Sequence, residues 1–201
     1  MPDTVAEMRA KVAHYFRYEM QCPMVAIESS SRLVAFNEGG QADVMAITKT
    51  RQIIEVEIKT SMADMRKDIQ KPKHYWLWRD YFNEQPEDMV LNSRPLWKRE
   101  ILRASHSGPG VDRPTCHEFY FAVPDELSNK AREVCDELYP YAGLFIVNRE
   151  MGYYPYYIMQ TKKPKHYNKP KATPQQLARM AREMSATLCR LAMDLAGVER
   201  L

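Results

Sequence analysis

The chain has 201 residues, 45% hydrophobic and 27% charged, values ordinary for one folded domain with a sizeable core. Its seven glycines and thirteen prolines exclude a collagen-like chain and argue against global disorder, and no apolar run approaches the roughly 18 residues a membrane span needs. Net charge is only +3, from 29 basic and 26 acidic residues, so bulk charge does not define a nucleic-acid partner.

No basic stretch followed by an apolar segment opens the chain, which leads to the expectation of a cytoplasmic protein without a membrane partner. The opening segment reads instead as an amphipathic helix. Thr4 and Glu7 form a T-x-x-E capping box, and Val5, Met8, Val12, Tyr15 and Phe16 recur at helical spacing. Cys22-Pro23 ends it, because the residue before proline avoids the helical region. Short strand-like runs follow at 24–28, 33–36, 42–47 and 52–59, with Gly39-Gly40 and Lys49-Thr50 as turns between the later ones. Ser61 and Asp64 open a second helix, on which Asp64, Asp68, Lys71 and Tyr75 share one face until Pro72 interrupts or kinks it. Residues 83–116 carry scattered prolines, a Gly108-Pro109-Gly110 turn and few periodic apolar positions; they read as an insertion or mobile loop.

Regular structure resumes with a strand at 118–123, a helix at 125–138, strands at 143–147 and 153–159, and a last helix at 174–196. Thr173 caps that helix and Pro174 suits its first position. Leu177, Met180, Met184, Leu188, Leu191 and Leu195 form its apolar stripe, most simply core packing, with a homodimer interface as the alternative. This order predicts an α/β fold, with residues 1–201 as a single domain.

The chemistry concentrates in two of the strands. Asp43 opens one apolar run, and Glu57 and Lys59 close the next. Strand alternation puts Glu57 and Lys59 on one face, with Cα atoms about 6–7 Å apart. A hairpin would bring Asp43, near the start of one strand, beside Glu57, near the end of its partner. Two carboxylates and an ammonium suit metal-dependent phosphodiester hydrolysis. The carboxylates supply oxygen ligands for Mg²⁺, the ion polarises the phosphate and acidifies a water, and the lysine orients that water. The ordinary alternative is an exposed ion pair worth under about 1 kcal/mol. Both acids lie in apolar strands, however, where a carboxylate is costly unless paired or metal-bound.

These residues resemble the PD-(D/E)XK nuclease superfamily, with Asp43 as the first acid, Ala42 in place of the motif's proline, Glu57 as the second acid and Lys59 as the lysine. Within it the chain is most similar to MmcB-like DNA-repair endonucleases and related phage proteins. Gln41-Ala42-Asp43-Val44-Met45-Ala46 and Val56-Glu57-Ile58-Lys59-Thr60-Ser61 look like their strand motifs. Ala63-Asp64-Met65-Arg66-Lys67-Asp68, with Lys71 and Tyr75, looks like the helix that follows. Phe119-Tyr120-Phe121-Ala122-Val123-Pro124 and Ala142-Gly143-Leu144-Phe145-Ile146-Val147 look like their later core strands.

The resemblance covers roughly residues 41–76 and 117–148. It implies a restriction-endonuclease-like mixed central sheet flanked by helices, and a DNA nuclease dependent on Mg²⁺ or Mn²⁺ that acts in repair, recombination or phage DNA processing. Asp43, Glu57 and the Ile58 carbonyl would then hold the metal, and Lys59 would position the nucleophile. Family members often add a glutamate from the first helix; Glu19, Glu28 and Glu38 all stand as candidates. Glu55 shares the face of Glu57 and Lys59 where relatives carry an apolar residue, and it reads as an exposed charge ahead of a third acid. The competing function is a nucleic-acid-binding or scaffold protein that keeps the fold and does not cleave.

Basic residues gather elsewhere too. From 153 to 182 there is no acidic residue, and Lys162, Lys163, Lys165, Lys169 and Lys171 interleave with His166 and Tyr167. That pattern suits contact with a DNA backbone, weighed equally against a solvated loop. Lys67, Lys71 and Lys73 form a second basic strip near the proposed site. Trp76, Trp78, Tyr81 and Phe82 read as core ahead of base stacking. Cys116, His117 and His106 are too irregularly spaced for zinc, and Cys22, Cys116, Cys135 and Cys189 show no paired spacing that would predict disulfides.

Overall fold

The computed structural model describes residues 4–30, 41–82, 116–148 and 157–197. The expected strand at 33–36, the Gly39-Gly40 turn, Glu38, His106 and nearly all of the expected insertion lie outside the described residues.

One six-stranded mixed sheet runs in the order β1 (Met24–Ser30), β2 (Gln41–Ile47), β3 (Ile53–Ile58), β4 (Glu118–Pro124), β5 (Gly143–Asn148) and β6 (Tyr157–Lys162). β3, β4 and β5 are parallel to one another, while β1–β2, β2–β3 and β5–β6 pair antiparallel. Parallel strands are covered on both faces, which explains why β3, β4 and β5 are apolar runs and are buried almost end to end. The result is an α/β fold with helices on both faces of a mixed sheet.

On one face lies α1 (Val5–His14), which begins at the Thr4–Glu7 capping box and continues into a π-helical turn, Tyr15–Glu19. Met8, Val12 and Phe16 bury against Val44, Val56 and Phe145. The opposite face carries α2 (Met62–Lys67), α3 (Pro72–Phe82), α4 (Ser128–Leu138) and the first turns of α5 (Pro174–Ala196). A 3-10 turn, Asp68–Gln70, joins α2 to α3. Pro72 does not kink a continuous helix: Lys71 is extended at φ −70 and ψ 134, as the residue before proline prefers, and Pro72 starts a new helix.

The segment between β6 and α5 is a strap across the starts of the three parallel strands. The Lys165 N–H donates to the Tyr141 carbonyl at 2.8 Å, that of Tyr167 to His117 at 2.8 Å, and that of Ala172 to Arg51 at 2.9 Å. Tyr167, expected to interleave with lysines at a DNA surface, is buried and donates its hydroxyl to the Leu77 carbonyl at 2.6 Å. Cys116 is buried as well, and His117 Nδ1 accepts the Ile53 N–H at 3.1 Å, a structural placement of both residues. Trp78 is core and Tyr81 packs against it.

The α5 stripe divides in two. Met180 is buried and Leu177 and Met184 are partly covered, but Leu188, Leu191 and Leu195 are exposed, Leu195 at 90%, so the core reading holds only for the first half. Among the described residues no helix is long and apolar enough to cross a membrane.

Gly143 tests how tightly β4 and β5 approach. A Cβ there would fall 2.4 Å from Tyr120 Cδ1, and that ring is stacked on Phe145 with centroids 4.3 Å apart. Gly143→Ala is expected to destabilise the fold by about 1–3 kcal/mol in urea unfolding.

Candidate active site

The register Val44↔Val56 of the β2–β3 hairpin, continued by one residue, sets Asp43 opposite Glu57. The hairpin is held there by Asp43 itself, whose Oδ2 accepts the Ile58 N–H at 2.8 Å. Beyond β3 the strand path continues, because the Lys59 N–H donates to the Ala122 carbonyl at 2.9 Å. Alternation therefore puts Glu55, Glu57 and Lys59 on one face. All three are buried, at 4%, 3% and 4% exposure. The expectation that Glu55 is an exposed charge is overturned.

Asp43, Glu57, Ile58 and Lys59 line one cleft of about 360 Å³, together with Arg9, Glu28, Asp64 and Lys71. Of the three candidate glutamates, Glu28 reaches the cleft; Glu19, at the end of the π-helical turn, is not among its lining residues. Glu28 has φ +53, a left-handed conformation that costs energy for a residue with a side chain. Arg9, from the polar side of α1, bridges Glu28 and Asp43, donating through Nε to Asp43 Oδ1 at 2.8 Å.

The buried charges of β3 meet partners from the chain just beyond α2. Lys73 Nζ lies between Glu55, at 2.7 Å, and Glu57. Glu57 also faces Lys71 at 3.2 Å and Lys59 at 3.5 Å. Lys59 pairs most closely with Asp68, at 2.6 Å, and less closely with Asp64, at 3.3 Å. Asp68 in turn contacts Lys71 at 2.6 Å and His74 Nε2 at 2.6 Å, and His74 Nδ1 lies 2.7 Å from the Tyr141 hydroxyl.

Titration follows this arrangement. Burial pushes the Glu55 carboxyl up, against the pull of Lys73. Burial acts on Glu57 in the same sense, but Lys73, Lys71 and Lys59 outweigh it and hold that carboxyl below its usual value. Asp68 is buried too, yet His74 and the lysines hold it well below the carboxylate range. Burial alone would lower Lys59; Asp68 and Glu57 raise it, so it remains a cation. His74 is depressed by burial, partly offset by Asp68, and is neutral.

The proposed DNA-contacting lysines separate. Lys73 is only 7% exposed and is occupied by Glu55 and Glu57, so it is no part of a basic surface strip. Lys162 is also withdrawn: its ammonium donates to the carbonyls of Cys135 at 3.0 Å and Tyr139 at 3.2 Å, neutralising the C-terminal end of α4. Lys67, Lys163 and Lys165 are exposed, and Lys71 is half-exposed at the cleft. Lys163 and Lys165 belong to the strap at the start of the parallel strands, whereas the cleft is at the far end of β3, roughly 16 Å away along five residue steps.

Among the described residues no group of three or more His, Cys, Asp or Glu side chains forms a metal-binding cluster, so a metal at the cleft would rest on two carboxylates and a main-chain carbonyl. Sequence reasoning did not identify Arg9 or the His74–Tyr141 contact. The Asp68–Lys71 pair was visible only as a three-residue spacing on one helical face.

No family model and no curated protein matches the chain. Among solved structures it is similar to SPO1766, a protein of unknown function from Silicibacter pomeroyi, with a TM-score of 0.51 and 16% identity over 98% of this chain and 94% of that one. At that identity the likeness shows the α/β fold alone.

Lys73 is the counterion on which Glu55 depends. Lys73→Met is expected to cost about 3–5 kcal/mol in urea unfolding, because it leaves a buried carboxylate without a partner.

Proposed function

We propose that the protein is a divalent-metal-dependent nuclease of the PD-(D/E)XK kind that hydrolyses DNA phosphodiester bonds. The observation that carries this reading is the convergence of Asp43, Glu57, Ile58 and Lys59 on one cleft. The donor set suits a hard cation, since every candidate ligand is an oxygen. Charge supports it too. Among the described residues around the cleft, Glu28, Asp43, Glu55, Glu57, Asp64 and Asp68 meet only Arg9, Lys59, Lys71 and Lys73, and His74 is neutral. Each of these carboxylates has at least one of these cations beside it, but several share one, so the formal charge of the group is −2.

Asp43, Glu57 and the Ile58 carbonyl would hold the Mg²⁺ or Mn²⁺ ion, which supplies polarisation of the scissile phosphate and an acidified water. Lys59 is a fixed cation beside Glu57 and stabilises charge developing on the phosphate oxygens. Lys71, half-exposed at the rim, meets the substrate backbone. DNA as the substrate and a role in repair, recombination or phage DNA processing follow from the resemblance of the strand motifs. A second reading, a nucleic-acid-binding or scaffold protein that does not cleave, is favoured by Arg9, which already occupies Asp43.

Incubation with plasmid, linear and single-stranded DNA, with and without Mg²⁺ or Mn²⁺, separates the two. Cleavage that requires metal is expected. Lys59→Ala should lower the rate by about 10²–10³-fold and spare Mn²⁺ binding, whereas Asp43→Ala should lose both. No cleavage of any substrate with either ion would overturn the nuclease reading, and DNA binding without cleavage would support the second.

Binding by the strap is tested separately. If Lys163 and Lys165 touch phosphate, the double alanine variant lowers the slope of log affinity against log salt by about 0.9 per lost contact on duplex DNA. An unchanged slope makes them solvated lysines.

A further inference from the structure

We infer that His74 and Asp68 form a positioning dyad that fixes the Lys59 ammonium at the cleft, with Tyr141 anchoring the dyad from the core. The inference rests on the nuclease reading for what Lys59 does, but not for how Lys59 is held.

A lysine carries a point charge on a flexible four-carbon stem, so its strand position alone does not fix its nitrogen. Here three carboxylates surround Lys59 Nζ, and Asp68 is the nearest, at 2.6 Å against 3.3 Å for Asp64 and 3.5 Å for Glu57. Asp64 is exposed and Glu57 belongs to the cleft, which leaves Asp68 as the interior partner. Asp68 cannot swing freely. Its Oδ2 meets His74 Nε2 at 2.6 Å, and the His74 ring lies edge-on to Phe119 at 5.2 Å and stacked with Phe121 at 5.9 Å.

The protons fall into one consistent order. Asp68 is ionised and accepts from Lys59 and from His74 Nε2–H. That leaves His74 Nδ1 without a proton, to accept the Tyr141 O–H at 2.7 Å. His74 and Tyr141 are fully buried, and the chain runs from the core to the cleft through direct side-chain contacts. A buried ion pair of this kind gives little stability over apolar packing of equal volume. What it does give is a nitrogen held in one place, at the residue beside the scissile phosphate.

The test uses the full-length protein without metal, and then the cleavage assay. In wild-type protein the Lys59 ammonium is expected as a slowly exchanging ¹H–¹⁵N NMR signal, and His74 as the Nε2–H tautomer. Asp68→Asn and His74→Leu should both abolish the Lys59 signal. His74→Gln, whose amide can replace the Nε2–H donor, should keep it. In cleavage, Asp68→Asn and His74→Leu should lower kcat by about 10²-fold, the scale of a misplaced catalytic group, with KM and Mn²⁺ affinity little changed and activity restored in His74→Gln. Should His74→Leu fail to fold, Asp68→Asn carries the test alone. A Lys59 signal that survives Asp68→Asn overturns the dyad. If the wild-type protein cleaves nothing with either ion, the nuclease reading fails, and the ammonium signal by itself still decides whether Asp68 and His74 hold Lys59.

Discussion

Three charged side chains buried along one face of a central strand set the terms for everything around them. Glu55, Glu57 and Lys59 stand on β3 and its extension, and β3 is covered on both faces because its neighbour β4 runs parallel to it. A charge in such a place has to be matched within hydrogen-bond distance or it unfolds the strand. The matching groups come from the next stretch of chain. Lys73 serves both glutamates, Asp68 serves Lys59, and Lys71 touches Asp68 and Glu57. This requirement explains the local backbone. An unbroken helix from Met62 to Phe82 would keep Asp68 and Lys71 on one face but turn Lys73 about 140° away from Asp68. A 3-10 turn, an extended Lys71 and a restart at Pro72 instead deliver all three to the same strand.

The two ends of the parallel strands are treated in opposite ways. At their starts, the strap uses main-chain hydrogen bonds to Tyr141, His117 and Arg51, and Tyr167 plugs the interior. At the end of β3 the chain leaves a charged cleft instead. The strap end also holds ion pairs, Lys169 with Asp80 and His166 beside Glu118, but the carboxylates of the cleft stand where solvent and cations have access.

Local signals in the sequence were legible where a single element decides the outcome. The Thr4 capping box and the Thr173 cap both form, the hairpin brings Asp43 opposite Glu57, and strand alternation sets Glu57 and Lys59 on one face. What failed to show depends on partners distant in sequence. Glu55 looks exposed until Lys73, 18 residues later, is seen against it. Lys162 looks like the start of a basic surface run, yet as the last residue of β6 it reaches the end of α4, 27 residues earlier for Cys135. The α5 stripe has correct helical periodicity from Leu177 to Leu195, but periodicity defines a face and not the length of core available to cover it. Among the described residues Leu188, Leu191 and Leu195 stay exposed.

Arg9 joins the helical layer to the chemistry of the cleft. The same turns of α1 send Met8 and Val12 into the core and Arg9 onto Asp43 and Glu28, so the helix is docked by apolar packing on one side and by charge on the other. Asp43 is thus shared: its Oδ2 holds the β2–β3 hairpin through Ile58, and its Oδ1 takes the guanidinium. In the proposed function a divalent ion would compete with Arg9 for that second oxygen. Two ligands for one site are linked with opposite sign, so whatever strengthens the Arg9 contact weakens the ion by the same factor. The strained Glu28 fits this economy, because its carboxylate gives the displaced guanidinium a partner and spares it a return to bulk water. The charge of the cleft and the seating of α1 are therefore one equilibrium, read at Asp43.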